Sequence, residues 1–281
     1  MYSNRFTREN PGLIVFLVDQ SGSTEDVMPI DGHAIADHIA DLVNACITEA
    51  IKQATIQTSD DDEEVKHEIC FVIIGYGGKG NPDDEKDEGN WKAELLMAPK
   101  YSDVISKEYN YQKSVISNLE ILPILTPAHG GGTPMASAYM TAYNVLKQWN
   151  QSHDGERDPV PVIINISDGE PTDNTADLRK AIEDIKSLQT ADGSPLIINL
   201  HISAKPNAKE LKAPSNIEDC YDDYSKLMFE ISTEVTDDIV NNSEPIQRLG
   251  ISKGGRLFCS NIKDPAYAGQ FVSIGTRVKM K

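Results

Sequence analysis

Leu13-Ile14-Val15-Phe16-Leu17-Val18-Asp19-Gln20-Ser21-Gly22-Ser23 is the stretch whose reading decides the fold. Six apolar residues in a row, rich in β-branched types, describe a strand buried on both faces, as in a parallel sheet covered by helices. The run closes on Asp19, and Asp-x-Ser-x-Ser follows where such a strand would end and its loop begin. In open α/β sheets ligands bind at that carboxyl end. Asp19 offers a carboxylate, Ser21 and Ser23 offer hydroxyls, and Gly22 lets the backbone turn tightly between them. Three hard oxygen donors on one turn suit a small divalent cation such as Mg²⁺. Such an ion wants six oxygens and keeps some waters, so further protein donors are expected elsewhere.

Two other segments offer them. Gly130-Gly131-Gly132-Thr133-Pro134 is a glycine loop before a helical pattern, with the Thr133 hydroxyl at the helix start and Pro134 in its first turn. Val160-Pro161-Val162-Ile163-Ile164-Asn165-Ile166-Ser167-Asp168-Gly169-Glu170-Pro171-Thr172-Asp173 is a second buried strand that runs into an acidic turn. Asp19 and Asp168 then stand at equivalent strand ends. Adjacent strands lie about 4.8 Å apart, so their carboxylates can converge on one cation, directly or through water.

These residues resemble the von Willebrand factor A (vWA, integrin I-like) family and its metal-ion-dependent adhesion site. Asp19, Ser21 and Ser23 match the family's Asp-x-Ser-x-Ser, Thr133 its distant Thr, and Asp168 the Asp of its Ser-Asp-Gly. The resemblance implies an α/β, Rossmann-like three-layer fold: a mostly parallel sheet with one antiparallel edge strand and helices on both faces. It also implies Mg²⁺ or Mn²⁺ at these five residues, with Ca²⁺ ranking below both, and a partner's Asp or Glu filling the metal's open position. The tail, Gly255-Arg256-Leu257-Phe258-Cys259-Ser260-Asn261 through Ile274-Gly275-Thr276-Arg277, looks like stand-alone bacterial vWA proteins of the tellurite-resistance-like group, some encoded beside kinases and phosphatases. That narrower likeness implies a role in stress or defence signalling.

The three candidate segments lie far apart in 281 residues with no linker-like stretch between them, so a single domain is expected, with residues 1–11 as an arm and 13–274 as the core. A net charge of -18 argues against nucleic acid, which requires a cationic footprint. The runs Asp60–Glu64 and Asp83–Glu88 are read as solvated loops. Cys46, Cys70, Cys220 and Cys259 have no metal-ligand spacing and read as free thiols. The polar start and the lack of an apolar run near ~20 residues point away from a secretory signal or membrane span, and a cytoplasmic protein is expected.

Along the chain, apolar residues at three- and four-residue spacing predict a helix from Gly32 to Ala54, with His33 and His38 at its start as surface groups. Glu68–Tyr76 reads as the second strand and Trp91–Met97 as an antiparallel edge strand. Tyr101–Leu122 is expected to be partly helical. Helices are expected over Pro134–Asn150 and Thr175–Leu188, the latter capped by Asp173 or Asn174. Pro195–Ile202 is the fifth strand, with His201 as a structural histidine. Ala204–Asn216 reads as a loop, Asp219–Glu230 and Glu234–Leu249 as helices, Arg256–Ser260 as a strand and Pro265–Ile274 as a terminal helix.

Binding is favoured over catalysis. Ser21 and Ser23 have no His or Lys beside them in sequence, and His129 reads as loop structure. A Mg²⁺-dependent phosphatase of the haloacid-dehalogenase type would need a second carboxylate where Ser21 stands, and a hydroxyl cannot act as general acid near neutral pH. No G-x-x-x-x-G-K-[ST] occurs. A purely structural metal, with a closed coordination shell, is the third reading.

Overall fold

A computed structural model describes residues 2–29, 31–59, 62–65, 69–77, 94–101, 121, 123–153, 155–204, 208–262, 267, 269–271 and 274. Its elements are β1 (Gly12–Gln20), α1 (Ile35–Ala54), β2 (Thr55–Ser59), β3 (Asp62–Val65), β4 (Ile69–Gly77), β5 (Glu94–Tyr101), α2 (Met135–Ser152), β6 (Val162–Ser167), α3 (Thr175–Ser187), β7 (Leu196–His201), β8 (Leu211–Lys212), α4 (Asp223–Ile231), α5 (Asp237–Asn242), α6 (Glu244–Arg248) and β9 (Phe258–Ser260).

Among the described residues, seven strands form one sheet in the order β5-β4-β1-β6-β7-β9-β8. β4, β1, β6, β7 and β9 run parallel, and β5 is antiparallel at one edge, as expected. The two-residue β8 adds an antiparallel pair at the other edge, inside the stretch expected to be loop.

Strand alternation sorts the side chains onto two faces. Ile14, Phe16, Val18, Phe71, Ile73, Ile164 and Ile198 pack against Ile39, Val43 and Ile47 of α1, Ile239 of α5 and Ile246 of α6. Leu13, Val15, Leu17, Val72, Ile74, Ile163 and Ile197 pack against α2, α3 and α4 through Tyr139, Leu146, Leu178, Ile185 and Met228. The result is a three-layer, Rossmann-like α/β fold. Each fully buried Leu, Ile or Phe contributes about 1.5–3 kcal/mol.

A polar cluster interrupts the second face. Asn165 and Asn199 stand opposite each other in β6 and β7. Asn165 Nδ2 donates to Asn199 Oδ1 at 2.9 Å, and the Tyr76 and Tyr139 hydroxyls donate at 2.7 Å to Asn165 Oδ1 and Asn199 Oδ1. Asn199 Nδ2 donates to Ser232 Oγ at 2.8 Å.

Several boundaries differ from the sequence reading. Asp62, Glu63 and Glu64 belong to β3, paired antiparallel with β2, because the β-branched run Thr55-Ile56-Gln57-Thr58 gives the acidic segment a strand to add to. The stretch Glu234–Leu249 is two helices: Ser243 ends one and caps the next, with Pro245 in the first turn, where a missing N–H does no harm. α4 starts at Asp223, behind a capping box made by Asp222 and Ser225. The edge strand sits a few residues later than expected, over Glu94–Tyr101. The acidic run Asp83–Glu88 and nearly all of the expected helix Tyr101–Leu122 lie outside the described residues. Of Pro265–Ile274, residues 267 and 269–271 are helical. The arm has no regular secondary structure and is tied down by the Tyr2 N–H, which donates to the Asp192 carbonyl. Among the described residues no helix is long and apolar enough to cross a membrane.

Candidate metal centre

The chain passes from β1 to β4 on one side and later to β6 on the other, so the strand order reverses between β1 and β6. Such a switch point opens a crevice at the carboxyl ends of the strands. With Val18 opposite Ile166, Asp19 falls beside Ser167, and Asp168 is the first residue past the end of β6.

The five residues singled out in the sequence meet there. Asp19 is 1% exposed; its Oδ1 accepts from the Ser21 N–H at 2.9 Å and its Oδ2 from the Ser167 hydroxyl at 2.6 Å. Ser21 Oγ lies 3.1 Å from Ser23 Oγ, and the Ser23 hydroxyl donates to Asp168 Oδ1 at 3.0 Å. Thr133 is buried in the same crevice. A Cβ placed on Gly169 would stand 3.2 Å from Ser23 Oγ and 3.6 Å from Thr133 Oγ1, so a side chain there would crowd both hydroxyls.

Loops from three parts of the chain hold this arrangement. The Gly22 N–H donates to the Gly131 carbonyl at 3.0 Å. The Thr133 N–H donates to Thr172 Oγ1 at 2.8 Å, and the Thr172 N–H returns a bond to the Thr133 carbonyl at 3.0 Å. Asn174 accepts from the Ala176 N–H and caps its own helix α3, whereas Asp173 accepts from the Ser137 N–H at 3.1 Å and secures the start of α2. α2 begins one residue later than expected, with Pro134 at the cap position. At the end of β4, Gly77 has φ +101° and a Cβ there would fall 2.5 Å from Ser21 N, so only glycine lets the two backbones approach.

His201 is buried as a structural histidine, with a specific task at this crevice. Its Nε2 is 3.3 Å from the Asp168 carbonyl, which can only accept, so Nε2 carries the proton and Nδ1 accepts from the Ser260 hydroxyl at 2.9 Å. From α4 the Tyr224 hydroxyl is buried without a hydrogen-bond partner among the described residues. Burial raises its pKa well above the phenol range, and the charges of Asp19 and Asp168 add to that. Ser167 and Thr172 take part through contacts that the sequence does not reveal, Asp173 serves a different helix from the one expected, and nothing in the sequence places Tyr224 here. His129 sits 3.8 Å from Glu25 on the exposed rim.

The electrostatics are those of two buried like charges. Burial, then the charge of Asp19, pushes the Asp168 carboxyl up to about 7. Burial also raises Asp19, against the hydrogen bonds from Ser167 and Ser21 that favour its ionised form. Among the described residues neither carboxylate has a Lys or Arg ion-pair partner. A divalent cation would supply the missing positive charge. The spacing also fits one. Oxygens at 2.0–2.1 Å around an octahedral Mg²⁺ stand about 2.9 Å apart along each edge, and the Ser21–Ser23–Asp168 oxygens follow at 3.1 and 3.0 Å. Hydroxyl and carboxylate oxygens suit Mg²⁺ or Mn²⁺ rather than softer ions. Among the described residues no group of three or more His, Cys, Asp or Glu gathers to hold a metal, so any site here depends on its hydroxyls.

No protein-family profile matches the chain, and no curated protein does. Among solved structures, it is similar to the manganese-loaded TRAP protein of Plasmodium vivax (14% identity, TM-score 0.37, over 71% of this chain and 60% of that one). It is also similar to the human COPII-coat protein Sec24c (8%, TM-score 0.36, 71% and 26%). A third is the ArnB paralog VWA2 of Sulfolobus acidocaldarius (16%, TM-score 0.32, 69% and 35%). The matched region thus spans less than two thirds of each of these proteins. The architecture described above follows from the strand order itself.

Proposed function

We propose that the chain is a vWA-type binding module, not an enzyme, in which Asp19, Ser21, Ser23, Thr133 and Asp168 hold Mg²⁺ or Mn²⁺. The bound ion would offer a positive, oxygen-seeking position to an Asp or Glu of a partner protein. The observation that carries this reading is the run of hydroxyl and carboxylate oxygens at octahedral-edge spacing beside two carboxylates that have no Lys or Arg partner among the described residues. Ser21 supplies a hydroxyl where a phosphatase would need a second acid, which favours capture over catalysis. Four free thiols fit a reducing compartment, so the proposed setting is cytoplasmic. The acidic charge makes nucleic acid an unsuitable partner. A stress or defence system built around a kinase or phosphatase is the proposed context.

The test is calorimetric titration of Mg²⁺ and Mn²⁺ into chelator-stripped protein, wild type against Asp19→Ala, followed by partner capture with and without chelator. Saturable binding lost in the variant, with a chelator-sensitive partner, is the expected result. Metal binding that survives Asp19→Ala refutes the donor set, and capture indifferent to chelator refutes the role of the metal.

A further inference from the structure

At the end of the sheet opposite Asp19, the amino-terminal arm and the segment before β6 enclose a cleft of about 530 Å³. Arg5, Arg8 and Arg157 line it, with Ser3, whose hydroxyl donates to Asp192 Oδ1 at 3.5 Å, Thr7 and one acid, Glu9. In a chain of net charge -18 the lining residues carry more guanidiniums than carboxylates, although Asp192, Asp158 and Glu156 stand in the frame behind them. Arg5 and Arg157 have no ion-pair partner among the described residues. Guanidiniums stay charged at any physiological pH, so neighbours of the same sign repel until an anion comes between them.

The frame of the cleft is fixed. Asp192, 3% exposed, accepts the Ser3 N–H at 2.7 Å on one oxygen and the Asn4 N–H at 3.1 Å on the other. Asn4 Nδ2 reaches the Glu156 carbonyl at 3.1 Å and the Asp158 carbonyl at 3.3 Å, joining the arm to the segment that carries Arg157. Phe6 is buried in the core directly beneath, packed where Gly12 leaves room for its ring. Asp158 is itself engaged by the Gly155 N–H at 2.6 Å.

We propose that this cleft is a second binding site, for a phosphoryl-class oxyanion, in which Arg5 and Arg157 take the anion's oxygens in paired N–H bonds and the Thr7 hydroxyl adds a donor. A phosphoryl group brings nearly two negative charges and three acceptor oxygens, which matches two guanidiniums better than one carboxylate does. The site is separate from the metal crevice and does not rest on it.

The experiment is titration of inorganic pyrophosphate into the full chain in the presence of chelator, at constant ionic strength, with potassium chloride as the blank. A phosphoserine peptide with its unphosphorylated counterpart, and vesicles containing phosphatidic acid, are further arms that identify the carrier of the group. Saturable binding is expected in wild type and in Asp19→Ala, and about tenfold or more weaker in Arg157→Gln and Arg5→Gln. Arg157 is exposed, so its variant keeps the test decisive if Arg5→Gln fails to fold. No saturable binding in any arm, or equal affinity in wild type and Arg157→Gln, overturns the proposal.

Discussion

Replacing Asp168 by Asn should stabilise the metal-free protein, although it removes a residue of the candidate site. The side chain keeps its shape, and Oδ1 can still accept from Ser23. What disappears is a charge that the folded state tolerates poorly: the carboxyl moves from 3.8 to about 7 on folding, through burial and then the charge of Asp19. Each tenfold change in acidity is worth about 1.4 kcal/mol, so keeping Asp168 ionised at pH 8 costs at most roughly 4 kcal/mol. Sharing of the proton with Asp19 and partial access to water reduce the expected gain to about 1–2 kcal/mol. For a chain of this size that is a rise in Tm of about 3–6 °C. Between pH 4 and 7 the native carboxyl binds more protons than the unfolded one, so wild-type stability falls as pH rises through that window. The gap between variant and wild type therefore opens above about pH 4 and is complete above about pH 7. Thermal unfolding in chelator across this range measures it, and added Mg²⁺ should raise wild type alone. A variant that melts at or below wild type at pH 8 without metal would refute the like-charge account.

Gly77→Ala should destabilise by about 2 kcal/mol or more, because its φ of +101° and the Cβ contact with Ser21 N both oppose a side chain; an unchanged denaturation midpoint would contradict this. His201→Phe retains an aromatic ring against Tyr224 but loses the donor to the Asp168 carbonyl. Its Mg²⁺ affinity should fall about threefold to tenfold by calorimetry, with partial recovery in His201→Gln; equal affinity in all three proteins would remove His201 from the site. Thr133→Ala should weaken chelator-sensitive partner capture more than metal binding, and equal losses would argue against a separate role for the hydroxyl.

The meeting of the candidate residues was legible because they sit where backbone rules leave little choice. Asp19 and Asp168 end apolar runs, and parallel strands send those ends to one crevice. Thr133 was marked by the glycines before it and the helix after it. Residues acting through tertiary contacts were not legible. Tyr224 comes from α4, and its place under the carboxylates depends on how that helix crosses the sheet. Asp173 secures a helix it does not belong to, which no local capping rule reveals. The acidic run Asp60–Glu64 has the composition of a solvated turn, and the pairing of its residues Asp62–Glu64 within β3 depends on having β2 beside them.

The two buried asparagines have a consequence for how the sheet finds its alignment. β6 and β7 both contain Ile-Ile-Asn, Ile163-Ile164-Asn165 and Ile197-Ile198-Asn199. As hydrocarbon, each strand would tolerate sliding past its neighbour, since one isoleucine fills much the same space as the next. A slip of one residue would instead send an amide to the opposite face and strand its partners. Tyr76, Tyr139 and the second asparagine would be left buried with unmet hydrogen bonds, at about 1–3 kcal/mol each. Tyr76 belongs to β4 and Asn165 to β6, so their bond bridges across β1 and ties three strands to one setting. Replacing the pair with leucine would make the core more apolar, strand the Tyr76 and Tyr139 hydroxyls, and erase the mark that tells the strands where to stop, and with it the meeting of Asp19 and Asp168.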